Sequence, residues 1–208
     1  MVNEIKKSIL AGLLISIGGC VYLSCAVKGI AWVGAVLFAV GLFTICEYGF
    51  NLYTGKVGYI ANKFSDVKYI GLVVLIMVFN LLTTFAVGAL LSLEFADIAQ
   101  KAQEVYAAKL DASLTKSFVS AIFCGMLMFI AVDVNKRGSK IGIFLAVPTF
   151  ILSGFDHSIA NSFYNGLALG EDTFTVKNAV YVAVVVLGNA VGGMLIPLLT
   201  RNWKKSEE

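Results

Sequence analysis

The sequence predicts an all-α membrane protein, with six transmembrane helices forming two inverted three-helix repeats and helices two and five broken. Three observations carry this expectation. Of the 208 residues, 59% are hydrophobic and only 14% are charged. Mean hydropathy is +0.86, far above that of a soluble domain. The single histidine, His157, sits in an otherwise apolar stretch, next to Asp156 and among Ser153, Gly154, Ser158 and Asn161. An ionisable group at membrane depth needs a polar partner and marks a functional site. The small polar residues around it favour an unwound helix over a continuous one.

A helical span needs about 20 apolar residues. Six stretches are candidates, at about 9–27, 30–46, 69–93, 112–134, 141–170 and 178–200. They are too long and too unalternating for the strands of a barrel. The first follows Lys6 and Lys7, runs on too far for a signal peptide and ends in no small-residue cleavage site, so it reads as a span. The second runs into the polar stretch from Glu47 to Lys56, and apolar character resumes weakly to Phe64. The fifth is interrupted from Ser153 to His157. Between spans three and four, Phe95, Ile98, Ala102, Val105 and Tyr106 recur at helical spacing, which predicts an amphipathic helix outside the core at about 94–111. The chain therefore reads as one transmembrane domain over 1–208, with repeat one at about 9–93 and repeat two at about 112–201.

Six spans sort the loops onto two sides. One side collects Lys6, Lys7, Lys63, Lys68, Lys136, Arg137, Lys140, Arg201, Lys204 and Lys205. The other mixes Lys28, Lys101, Lys109, Lys116 and Lys177 with Glu94, Asp97, Glu104, Asp111, Glu171 and Asp172. The basic side is expected to be cytoplasmic, which places both termini there. Its short clusters form no stripe for nucleic acid. Cys20, Cys25, Cys46 and Cys124 lie inside apolar runs with no paired spacing, so neither disulfides nor a metal site nor a cofactor is expected.

The two halves echo each other. Ile-Ala-Asn-x-Phe occurs at 60–64 after the break in span two, and at 159–163 after the break in span five. Asn80 and Asn189 then take similar places in spans three and six. Paired broken helices in inverted repeats mark the pathway in many transporters. Asn80, Asn161 and Asn189 are expected to bond across helices or to the interrupted backbone. Asp156 and Glu47 are expected to accept from freed backbone N–H groups, and Lys56 to snorkel to the interface. Gly18, Gly19, Gly192 and Gly193 allow close helix approach. Desolvation favours an uncharged His157, yet imidazole is the side chain whose protonation is easiest to reach near neutral pH.

At these residues the chain resembles the formate/nitrite transporter family. Ala11-Gly-Leu-Leu-Ile-Ser-Ile17, Gly49-Phe-Asn-Leu-Tyr-Thr-Gly55 and Gly188-Asn-Ala-Val-Gly-Gly193 are similar to family motifs. The most specific match is Ser153-Gly-Phe-Asp-His-Ser-Ile-Ala-Asn161, close to the family's Ser-Gly-Phe-Glu-His-Ser-Ile-Ala-Asn. The resemblance implies a homopentamer of aquaporin-like protomers in a bacterial-type inner membrane, each with its own pore for small monovalent anions. It makes Thr54 the loop threonine, His157 the central histidine and Lys109 the basic residue of the outer vestibule. It places apolar constrictions at Phe38, Leu42, Leu52, Tyr53 and Phe150. Three departures stand out: Gly125 replaces the asparagine of helix four, which removes a pore amide and is expected to widen the passage; Tyr53 replaces a phenylalanine; and the loop at Asn135–Ser139 is short.

A mechanism follows from the resemblance. An anion drawn to Lys109 is protonated at the centre, by His157 or through water, and the neutral acid crosses the apolar constrictions. A bare anion there loses several kcal/mol of hydration that nothing replaces. Alternative cargoes on the same fold are hydrosulfide or a larger monocarboxylate. An intramembrane enzyme using His157 and Asp156 is the rival of another class. Against it, the chain lacks a second histidine, a GxSxG elbow and a metal-ligand set. The Asn-Pro-Ala pairs of aquaporins are also absent, with Pro148 and Pro197 the only prolines.

Overall fold

Apolar residues on every face, rather than on one stripe, set the shape of the long helices. In the computed structural model, which describes residues 1–201, every regular element is helical. The order is α1 (Val2–Val27), α2 (Ala31–Tyr48), α3 (Tyr53–Lys56) running into a 3-10 segment (Val57–Asn62), α4 (Val67–Leu91), α5 (Ala96–Leu110), α6 (Leu114–Lys136), α7 (Ile141–Leu152), α8 (Ser158–Leu167) and α9 (Val176–Leu199). Five of these, α1, α2, α4, α6 and α9, are long and apolar enough to cross a membrane. The stretch at about 141–170, expected to be interrupted from Ser153 to His157, forms two short helices, α7 and α8, separated by those residues. Lys204 and Lys205, counted on the basic side, lie outside the described residues.

The helix starts follow ordinary capping chemistry. Asp66, Ser113 and Thr175 accept from the backbone N–H groups of Tyr69, Lys116 and Asn178 and so open α4, α6 and α9. Ile15, Leu23, Phe38, Ile76, Met128 and Phe163 fill the interior. Leu82, Leu145 and Leu187 face outward at 60% exposure or more, a surface suited to lipid or to other apolar chains.

The packing repeats when the halves are exchanged. α1 packs on α2 and α4, as α6 packs on α7 and α9. α4 packs on α8 of the other half, and α9 on the 3-10 segment of the first. α5 forms where an amphipathic helix was expected: Ala99, Ala102, Tyr106 and Leu110 make a buried stripe against α8, α1 and α9. That stripe is offset from the expected one because small alanines, not the bulkier Phe95 and Ile98, allow the close approach.

Both interruptions are built alike. α2 ends at Gly49 (φ 68°), whose N–H bonds to Cys46 O at 3.3 Å, while Phe50 N–H reaches Ile45 O at 2.9 Å. α7 ends before Gly154 (φ 70°), whose N–H bonds to Ile151 O at 3.0 Å, while Phe155 N–H reaches Phe150 O at 2.9 Å. These are two Schellman terminations, and the left-handed residue in each is glycine because a Cβ there is penalised. The equivalent residues are therefore Gly49-Phe50-Asn51 and Gly154-Phe155-Asp156. The Ile-Ala-Asn-x-Phe echo is six residues out of step with them. Its Asn62 ends the 3-10 segment exposed, whereas Asn161 is buried in α8.

Two asparagines close the freed backbone. Asn80 Nδ2 donates to Ser8 O (2.8 Å) and Asn51 O (3.0 Å), and its Oδ1 accepts from Tyr53 N–H (2.8 Å). Asn189 Nδ2 donates to Ala121 O (2.8 Å) and Asp156 O (2.8 Å), and its Oδ1 accepts from Ser158 N–H (2.8 Å). Each amide ties the break to the first helix of its half and to the start of the following short helix. Both side chains are fully buried.

Replacing Asn189 by Leu orphans two buried backbone groups of the break, Asp156 O and Ser158 N–H, at about 1–3 kcal/mol each, while Ala121 O keeps its bond within α6. The thermal midpoint in detergent is expected to fall sharply, and the same holds for Asn80→Leu. Asn62→Ala, which removes the echo residue, is expected to stay within about 0.5 kcal/mol of the parent.

Candidate functional site

The two breaks meet at one hydrogen bond. Thr54 Oγ1, on α3 of the first half, lies 2.9 Å from His157 Nε2, at the start of α8 in the second. Both side chains are buried. His157 is the N-cap of α8: its Nδ1 accepts the N–H of Ala160 at 3.1 Å. An acceptor nitrogen carries no proton, so in the neutral ring the proton sits on Nε2 and is donated to Thr54. The Thr54 hydroxyl then has its own proton free to donate onward. The ring is further fixed by stacking on Phe150, with centroids 5.4 Å apart.

Beside the histidine, Asp156 is held by side chains from four helices. Its carboxylate accepts from Lys109 Nζ of α5 (2.6 Å), Ser120 Oγ of α6 (3.0 Å), Asn161 Nδ2 of α8 (2.9 Å) and Tyr181 OH of α9 (2.9 Å). Asn161 also donates to Tyr181 OH at 2.8 Å. The Asp156 N–H donates to Ser120 Oγ at 2.9 Å. Asp156 is thus no cap for freed backbone N–H groups. Histidine caps α8, and the carboxylate turns to the buried ammonium, whose charge outweighs a neutral amide as a partner. Glu47, read the same way from sequence, pairs instead with Lys140. Behind Tyr181, Tyr106 packs edge-on at 5.8 Å and donates to Asn178 Oδ1 at 2.6 Å. Burial, with the Asp156 carboxylate adding, pushes the Tyr106 phenol above its ordinary range and keeps it a donor.

Two cavities flank the central pair. The first, about 80 Å³, is lined by Lys109, Phe150, Phe155, His157, Asn161 and Tyr164 among others. The second, about 90 Å³, is lined by Leu42, Cys46, Leu52, Gly55, Lys56 and Lys136 among others. Thr54 belongs to the segment that gives Leu52, Gly55 and Lys56 to the second cavity, so the Thr54–His157 bond ties that segment to a residue lining the first. Phe38 meets Phe150 edge-on at 6.1 Å. Of the residues expected at constrictions, Phe150, Leu42 and Leu52 line cavities, and Phe38 backs Phe150. Tyr53 lines neither, because its hydroxyl turns away to donate to Val186 O at 3.0 Å.

Gly125 does not face a passage. A Cβ placed on it meets Asn189 O and lies 2.9 Å from Asn189 Cα, so it is a contact point between α6 and α9. The expected widening is therefore absent: the missing side chain makes room for a helix. Ser120 and Tyr181 were not singled out from sequence, and Tyr106 was named only for the apolar stripe of its helix. The two tyrosines carried a signal, since a phenol in an apolar run needs a partner.

An all-α integral membrane protein is defined by these apolar helices, with a polar centre assembled from two interrupted segments. The formate/nitrite transporter family matches residues 2–203, and the chain belongs to that family, one of transporters and not of enzymes. It is 31% identical over 193 residues to a probable formate transporter of Methanothermobacter thermautotrophicus, covering 78% of this chain and 70% of that protein. It is 29% identical over 177 residues to the uncharacterized transporter YrhG of Bacillus subtilis (strain 168), covering 77% of this chain and 66% of the relative, just under two thirds of its length. Two solved structures share the fold. One is a pentameric formate channel with formate bound, at TM-score 0.79 and 20% identity over 96% of this chain and 95% of that one. The other is an FNT family ion channel, at TM-score 0.83 and 21% identity over 96% and 89%.

With one histidine in the chain, 15N-histidine labelling gives a single pair of ring signals. Solid-state NMR is expected to show an unprotonated Nδ1 and a protonated Nε2. Gly125→Asn is expected to lower the thermal midpoint by forcing α6 from α9, at a cost of about 1–3 kcal/mol or more, rather than to change which anions pass.

Proposed function

We propose that this protein is a channel-like transporter for small monovalent anions of the formate and nitrite class, with a proton exchanged at His157. The observation that carries the reading is the Thr54–His157 bond, which joins the two interrupted segments, each of which lines a cavity. In this reading the chain crosses the membrane six times as two inverted repeats. α7 and α8 share the fifth crossing: their 12 and 10 residues give about 33 Å at 1.5 Å per residue, against a core of about 30 Å. Both termini face the cytoplasm across the inner membrane, by the distribution of lysine and arginine. Five protomers assemble, as in the pentameric formate channel that shares the fold.

The chemistry is that of a weak acid. Phe150, Phe38, Leu42 and Leu52 offer a bare anion nothing in exchange for its water, whereas a neutral acid loses much less. Lys109 attracts the anion into the first cavity. A neutral imidazole that lost its Nε2 proton would be left an imidazolate, so the ring must first take up a second proton. With Nε2 already protonated, that proton goes to Nδ1, which breaks the cap with Ala160 and costs about 1 kcal/mol. The imidazolium then gives its Nε2 proton to the anion, directly or through the Thr54 hydroxyl, and is left neutral. Asp156 balances Lys109 and, bound by four donors, takes no part in proton transfer.

Vesicles loaded with the protein are expected to take up formate and nitrite faster than acetate or lactate, and faster at the lower of two pH values. Hydrosulfide belongs in the same comparison. His157→Asn is expected to flatten the pH dependence. A variant that keeps the parent's pH profile contradicts proton exchange at this residue.

A further inference from the structure

The two cavities are not alike in charge. Lys109, in the first, is already paired with a carboxylate at 2.6 Å. The second is lined by Lys56 and Lys136, and among the described residues no carboxylate lines it. The acidic residues nearest in sequence are engaged elsewhere: Glu47 pairs with Lys140, and Asp133 with Arg137 at 2.6 Å. The Lys136 ammonium lies over the Tyr59 ring at 3.6 Å from its centroid, which holds it in place without cancelling its charge. Tyr59 is itself fixed by donating to Asp133 Oδ1 at 3.3 Å.

The same cavity holds an unused polar atom. Asn135 lines it, and Asn135 Oδ1 is buried without a hydrogen-bond partner. A buried amide left unpaired costs about 1–3 kcal/mol, and few such groups occur in folded proteins without a role. Lys56, Lys136 and Asn135 therefore border about 90 Å³ whose remaining lining includes Leu42, Ile45 and Leu52. A half-turn of the amide presents its N–H₂ in place of its oxygen.

We infer that this second cavity is an anion-binding station in its own right, holding a small monovalent oxyanion between Lys56, Lys136 and the Asn135 amide. It goes beyond the transport reading, because binding here does not require that the anion cross. It assigns the unpaired cations of the site to the side away from His157. The anion is held by lysines in a cavity that no carboxylate lines, whereas Lys109, in the other cavity, is paired with Asp156.

Cys46 lies in the wall of this cavity and reports on its occupancy. The test uses the full chain with Cys20→Ser, Cys25→Ser and Cys124→Ala, so that Cys46 is the only thiol. Its alkylation by N-ethylmaleimide is followed in formate and in gluconate, an anion too large for the cavity, at equal ionic strength and pH. Formate at about four times its Kd is expected to slow the reaction about fivefold, the factor 1 + [L]/Kd. Lys56→Gln and Asn135→Leu are expected to abolish the protection, and His157→Asn to leave it. Equal rates in formate and gluconate overturn the site, as does protection that survives Lys56→Gln. Where the reagent fails to reach Cys46, the thermal midpoint in a Lys109→Gln background decides. A formate-dependent rise that Lys56→Gln removes supports the site, and no rise overturns it. Flux without protection removes this site and leaves the transport reading; protection without flux does the reverse.

Discussion

A backbone interrupted inside an apolar protein must find a partner for every N–H and C=O it frees, because lipid offers none. That constraint organises this molecule. Two side-chain amides, Asn80 and Asn189, meet it by the same three bonds in each half. Glycine-terminated helices bring the chain to each break in the same turn. Only with both breaks fixed can Thr54 and His157, 103 residues apart, come within 2.9 Å.

Histidine does a second task at this point. As the N-cap of α8 it satisfies one orphan donor of a helix start, and in doing so it fixes its own tautomer. A second proton on the ring has to displace that cap, so charging the imidazole and loosening the start of α8 are one event. Asp156 alongside it supplies the counter-charge for Lys109, and three neutral donors keep the carboxylate bound whatever the ammonium does. A buried pair of this kind contributes little net stability, and removing one partner is costly. Its value lies in placing one cation in an otherwise apolar wall.

Much of the fold was legible because membrane helices are written in long apolar runs, and because glycine and polar clusters interrupt them visibly. His157 was legible for the same reason, whereas Thr54 and Lys109 were named only through the family resemblance. The pairing of the halves was less so. Ile-Ala-Asn-x-Phe repeats in letters but not in place, while the true equivalence, Gly-Phe-Asn against Gly-Phe-Asp, rests on backbone hydrogen bonds. The setting of Asp156 was hidden because three of its four partners lie 25 to 47 residues away, on other helices. Gly125 and Tyr53 misled because a residue's letter does not say which way it faces. The glycine touches a neighbouring helix, and the tyrosine, itself buried, turns to a carbonyl of α9.

The central claim is that a proton accompanies each anion through the Thr54–His157 junction. Luminal pH and membrane potential recorded together in protein-loaded vesicles, as external formate is raised, test it most directly. The account predicts luminal acidification that tracks formate entry and leaves the potential unchanged. A potential that turns negative inside, with luminal pH constant, would contradict it.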